Sequence, residues 1–209
     1  QLAIGEGGAS HSTEKAFEVT GIKEVARRQR IPLIDLNKEP RVEVRIPQPL
    51  RLQRVEIAKR VLESTCIINV PTLKVHSMAL VTLSMKNLMG AVLPKSIIHG
   101  MINEKIVDLT AIFKDKVKLN IVDGLVGAEV NEISGTPVTM NLIIAGTDMV
   151  AVDTVATAVM GIEPHRVKYL QLAAQRGLGI TDFKKIQVIG EEIDRVKQMF
   201  RLPQKFVMD

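Results

Sequence analysis

Apolar residues along this chain fall into two alternating textures. Short unbroken or period-two runs read as strands: "QLAIG" at the start, "IPLIDL" (31–36), "RVEVRIP" (41–47), "CIINVP" (66–71), "KLNIVDG" (118–124), "MNLIIAGTD" (140–148) and "KKIQVIG" (184–190). Between them, "STEKAFEVTGIKEVARRQR" (12–30), "LQRVEIAKRVLES" (52–64), "AVDTVATAVMG" (151–161) and "VKYLQLAAQRG" (167–177) carry helical spacing, the first with Ser12 or Thr13 as cap and a break at Gly21. Strands that are apolar throughout and alternate with helices predict an α/β fold, a largely parallel sheet with helices on both faces. The chain reads as a single domain over 1–209, with a small hairpin insertion at about 38–50. It opens on a strand and a glycine turn with no preceding cap, as though in mid-fold.

Composition narrows the function classes. Aromatic residues make up 3% of the chain and Trp is absent, so the core must be aliphatic and Met-rich, and base-stacking platforms are not expected. No run approaches the roughly 18 apolar residues of a spanning helix and no leader opens the chain, which predicts no membrane contact and a cytoplasmic location. The single cysteine, Cys66, excludes an internal disulfide and is expected as a small core residue of its strand. Any iron–sulfur cluster would have to come from a partner or a missing segment. The net charge of +5 is uneven: residues 23–60 carry eleven Lys/Arg against five acids. That stretch could attract a small anionic molecule, an acidic partner or nucleic acid, or simply be solvated; no zinc-finger or RNA-binding aromatic signature supports nucleic acid.

Candidate chemistry collects where strands end, the edge at which open α/β sheets hold ligands. Gly5, Gly7, Gly8 and His11 follow the first strand, Lys74 and His76 follow "CIINV", Asp123 follows "KLNIV", and Asp148 and Asp153 follow "NLIIAG". Asp148 reads equally well as a helix cap. Asp153, inside an apolar helix, must face solvent, pair with a base such as Lys86, or meet a metal. His76 alone would pass for a core histidine, but His11 and His99 also lie beside turns or strand ends, and neutral imidazole is a common metal ligand. Lys86, among Leu83, Met85, Leu88 and Met89, either snorkels outward or is desolvated; desolvation would lower its pKa and favour nucleophilic chemistry. Asn87 and Gly90 can also be helix-ending residues.

At "NVPTLKVHSMALVTLSMKNLMG", "IVDGLVGAE" and "IIAGTDMVAVDTVATAVMGIEP" the chain resembles the uncharacterised domain family numbered 362, whose members often stand beside ferredoxin-type iron–sulfur modules. The resemblance implies a redox partner of that kind, and an amino-terminal strand-and-helix portion that is missing here. A more distant similarity, through "GEGGASHSTEKAFEVTG" and the stretch around His76, is to the amino-terminal half of the nickel-pincer lactate racemases. It implies His11, His76 and His99 as ligands of a transition metal such as nickel, with Lys86 as cofactor anchor. Lys86 and His76 are thus the candidate catalytic pair, and Lys74, Asn87, Asp123, Asp148 and Asp153 the candidate cofactor-binding set. Three functions stay open: a ligand- or metal-cofactor-binding domain acting with an iron–sulfur redox partner, a metal-dependent racemase or isomerase of a small hydroxy acid, and a non-catalytic basic scaffold.

Overall fold

A computed structural model describes residues 2–9, 12–98 and 100–207. Strands β1 (Ile4–Glu6) and β2 (Leu33–Asp35) pair in parallel, and α1 (Thr13–Val19) with α2 (Ile22–Gln29) makes the crossover that a parallel pair requires. Ser12 caps α1, and Gly21, at φ 76°, separates the two helices as expected. Next come β3 (Arg41–Arg45), β4 (Arg54–Ala58) and the short α3 (Lys59–Glu63). The segment expected as a helix over 52–64 is therefore strand in its first half (Arg54–Ala58) and helix only in its second (Lys59–Glu63). Val55 and Ile57 are buried while Arg54 and Glu56 point out, and ladders to β3 on one side and to a later strand on the other decide the conformation.

The central sheet is built from β5 (Ile67–Asn69), β6 (Thr72–His76), β7 (Leu80–Thr82) and, further along, β9 (Val117–Glu129) and β10 (Thr136–Gly146). Between them lie α4 (Ser84–Asn87), β8 (Val92–Leu93), which completes the β3–β4 sheet, and α5 (Ile102–Phe113). The chain closes with α6 (Met149–Val159), α7 (Lys168–Gln175) and α8 (Ile193–Val196). The fold class is α/β, as expected. β5 and β6 run parallel to β9 as two pieces of one line, while β7 and β10 join as antiparallel hairpin neighbours. Pro71 marks the break between β5 and β6. It has no N–H to give the ladder, but its carbonyl accepts the Asp123 N–H at 2.8 Å.

Two expectations from the sequence fail outside this sheet. "KKIQVIG" forms no strand: Val188 and Ile189 are exposed, Ile189 at 86%, and no described strand pairs with them. Cys66 is exposed just ahead of β5 rather than in the core. No helix among the described residues is long and apolar enough to cross a membrane.

α4 has only four residues, too few to stand alone, and it is held from three sides. Asp153, fully buried on α6, accepts the Ser84 N–H at 2.7 Å through Oδ1 and the Met85 N–H at 3.0 Å through Oδ2. Asn69, at the end of β5, donates to the Ser84 carbonyl at 2.8 Å and to Asn120 Oδ1 at 3.0 Å, and accepts from the Asn87 amide at 2.8 Å. Beyond α4, Lys95 Nζ donates to the Gly90 carbonyl at 2.7 Å. Gly7 packs so closely there that a Cβ would lie 1.8 Å from the Gly90 oxygen, which accounts for a glycine at that place in "GEGG".

Burial pushes the Asp153 carboxyl up to about 7, against the opposing pull of the Met85 and Ser84 N–H groups. The folded protein therefore holds a proton here that the unfolded chain releases near 3.8, so this group's contribution to stability falls as pH rises from about 4 to about 7. Asp153→Ala leaves two buried N–H groups unpaired and is expected to cost about 2–5 kcal/mol in urea unfolding. The deficit should be greatest near pH 4 and shrink toward pH 7; an unchanged unfolding midpoint, or a deficit that grows with pH, would contradict this role.

Candidate functional site

Alternation along β6 puts Leu73 and Val75 into the core and Thr72, Lys74 and His76 on the opposite face. The ladders bring Thr72 level with Asp123, and Lys74 level with Ala128 on one side and Thr82 on the other. The loop after β9 supplies Glu132. Its carboxylate accepts the Ser77 N–H at 2.9 Å and the Ser77 hydroxyl at 2.7 Å, and Oε1 lies 3.5 Å from His76 Nε2. His76 is buried, and its Nδ1 accepts from the N–H groups of Met78 at 3.0 Å and Ala79 at 3.3 Å. A ring nitrogen that accepts carries no proton, so the tautomer has its hydrogen on Nε2, toward Glu132.

Lys86 comes to this group from α4. Among the described residues it makes no hydrogen bond or ion pair, and its charged neighbours are Lys74 and Glu132. Burial, then repulsion from Lys74, brings its amine down to about 8, with Glu132 pulling the other way. Burial works to raise the Glu132 carboxyl, but the Ser77 hydroxyl and N–H, with His76 nearby, outweigh it and hold it below the usual range. Thr82, facing Lys74 across the ladder, is 7% exposed and its hydroxyl has no hydrogen-bond partner among the described residues.

The structure thus brings Lys86 near both Lys74 and Glu132, and Glu132 against His76, with Asp123 level with Thr72 further along the same strand pair. Asp123 Oδ1 accepts the Leu125 N–H at 3.0 Å. Asp148 and Asp153 are structural where the sequence suggested ligand contact. Asp148 caps α6 through Val150 and Ala151 and also accepts from the Ile180 N–H at 3.1 Å, while both Asp153 oxygens are spent on α4. Asn87 spends its amide on Asn69. His11 and His99 lie outside the described residues. With Nδ1 engaged, a metal could reach His76 only through Nε2. Among the described residues no group of three or more His, Cys, Asp or Glu side chains is placed to hold a metal ion.

Glu132, Thr82, Asn69 and Asn120 were missed in the sequence. Asn69 and Asn120 left a usable signal, as amides inside otherwise apolar strands. Glu132 left none, since an acid in a polar loop is the ordinary case. The electrostatics give a signed test by titrating the Lys86 amine. Lys74→Met should raise its pKa and Glu132→Gln should lower it; shifts of the opposite sign would mean that these groups are not its neighbours.

Comparison with known proteins agrees with the motif order. The family model described as "Domain of unknown function (DUF362)" matches residues 1–158. A curated relative, "Thylakoid-associated protein sll1697" of Synechocystis sp., is 30% identical over 137 residues, 60% of this chain and 41% of that protein. The chain thus spans well under half of that relative's length. No solved structure matches. With most of its length covered by the family model, the chain belongs to the DUF362 family.

Proposed function

We propose that this chain binds a small anionic substrate or cofactor between Lys74 and Lys86, with the His76–Glu132 pair beside it to hold or move a proton. The observation that carries this is a pair of partly buried, mutually repelling ammonium groups for which no described residue supplies a counter-ion contact. Such a pair costs stability unless something else neutralises it, and an anion does so at once. The unpartnered Thr82 hydroxyl beside Lys74 offers a further donor. Lys95 shows the contrast: its amine is also brought down to about 8, by burial and then Arg41, but it is tied to backbone carbonyls.

Calorimetric titration of the chain with pyruvate, oxalate and inorganic phosphate tests this. At least one should bind, and Lys74→Ala or Lys86→Met should each weaken it roughly 10- to 100-fold, the loss of a charge-assisted contact. Affinity should hold steady below pH 8 and fall as pH rises through about 8, because Lys86 then loses the charge that attracts the anion. If no anion binds wild type more tightly than Lys86→Met, the proposal fails.

A further inference from the structure

We propose that Lys86 is a nucleophile that forms an imine with the carbonyl carbon of a small α-keto acid whose carboxylate is held by Lys74 and the Thr82 hydroxyl. This rests on the anion site proposed above and narrows its ligand to one chemical class.

The geometry separates the two lysines by task. Lys74 sits on a strand paired on both sides and Thr82 is its cross-strand partner, so cation and hydroxyl stand on one face of the sheet, where a carboxylate could meet both. Lys86 stands on a helix held at its start by Asp153, at its start and end by Asn69, and beyond by Lys95, so its place is fixed although its amine contacts no described group. An amine that is held in place, unpaired and set beside a second cation has what a nucleophilic lysine needs. With its amine near 8, roughly a tenth is unprotonated at pH 7, about two orders of magnitude more than in an ordinary lysine.

The step balances without an oxidant or reductant. The nitrogen lone pair forms the bond to the carbonyl carbon, the C–O bond breaks, and both amine protons end on the oxygen, which leaves as water. Glu132 and the Nε2–H of His76 are the groups placed to carry those protons. An imine next to a carboxylate withdraws electrons from the adjoining bonds. That opens proton exchange or carbon–carbon cleavage at the neighbouring carbon.

The test treats the 209-residue chain with pyruvate and sodium cyanoborohydride at pH 7 to 8, followed by peptide mapping by mass spectrometry. Acetone serves as the uncharged carbonyl, and calorimetry on the same sample reads pyruvate binding. The reduced pyruvyl adduct is expected on Lys86 ahead of every other lysine. Lys74→Ala should cut pyruvate labelling about tenfold or more while changing acetone labelling by no more than about threefold. Mapping the wild-type chain keeps the test decisive even if a Lys86 variant does not fold. Pyruvate binding without preferential labelling of Lys86 overturns the imine and leaves the anion site standing; absence of both overturns the imine, and the anion site falls with it only if oxalate and phosphate also fail to bind.

Discussion

The carboxylate of Asp153 on the N–H groups of Ser84 and Met85 is the contact on which the rest of the site depends. A four-residue helix has no cooperative stability of its own, and its first amides are unpaired unless something outside supplies an acceptor. Here the acceptor comes from the middle of α6, 68 residues or more along the chain, and it is fully buried. The carboxyl's raised affinity for protons measures the cost of placing it there. That cost is offset by fixing the one segment that carries Lys86 to the one face that carries Lys74 and His76.

From that constraint the chemistry follows in order. Fixing α4 brings an ammonium to a place where burial and Lys74 oppose its charge and, among the described residues, Glu132 favours it. Glu132 is itself fixed, by two bonds from Ser77, and stands against His76. The Asn87–Asn69–Asn120 amide chain closes the other side of α4. Each amide in it donates to the next, so removing one leaves a buried partner unpaired. A site framed this way is preorganised by backbone and amide contacts, with the Lys74 and Lys86 ammonium groups left without a counter-ion contact among the described residues.

Much of this was legible in the sequence, and what was not has definite causes. The α/β class, the strands at "CIINV" and "KLNIV", and the choice of Lys74, His76 and Lys86 as candidates came from apolar runs and the polar groups that end or interrupt them; that Lys74 and His76 lie within a second strand, β6, paired with β9, did not. The first half of segment 52–64 misled because Val55 and Ile57 fit a helical as well as an alternating pattern, and long-range pairing chose the strand there, while 59–63 is helical as expected. "KKIQVIG" misled because alternation makes a strand only where a partner strand exists. Asp153 drew attention for the right reason, a charge inside an apolar helix, but its partners are backbone amides, which no side-chain pattern records. Glu132 was hidden because its importance comes only from the loop's return onto Ser77 and His76.

The most direct test is the titration of the Lys86 amine itself, followed by NMR of carbon-labelled lysine and assigned with a Lys86→Met sample. An amine buried beside Lys74 with no partner among the described residues is expected to titrate at about 8. A titration near 10.5, the ordinary lysine value, would mean that Lys86 is solvated or paired, and the account of the site would be wrong.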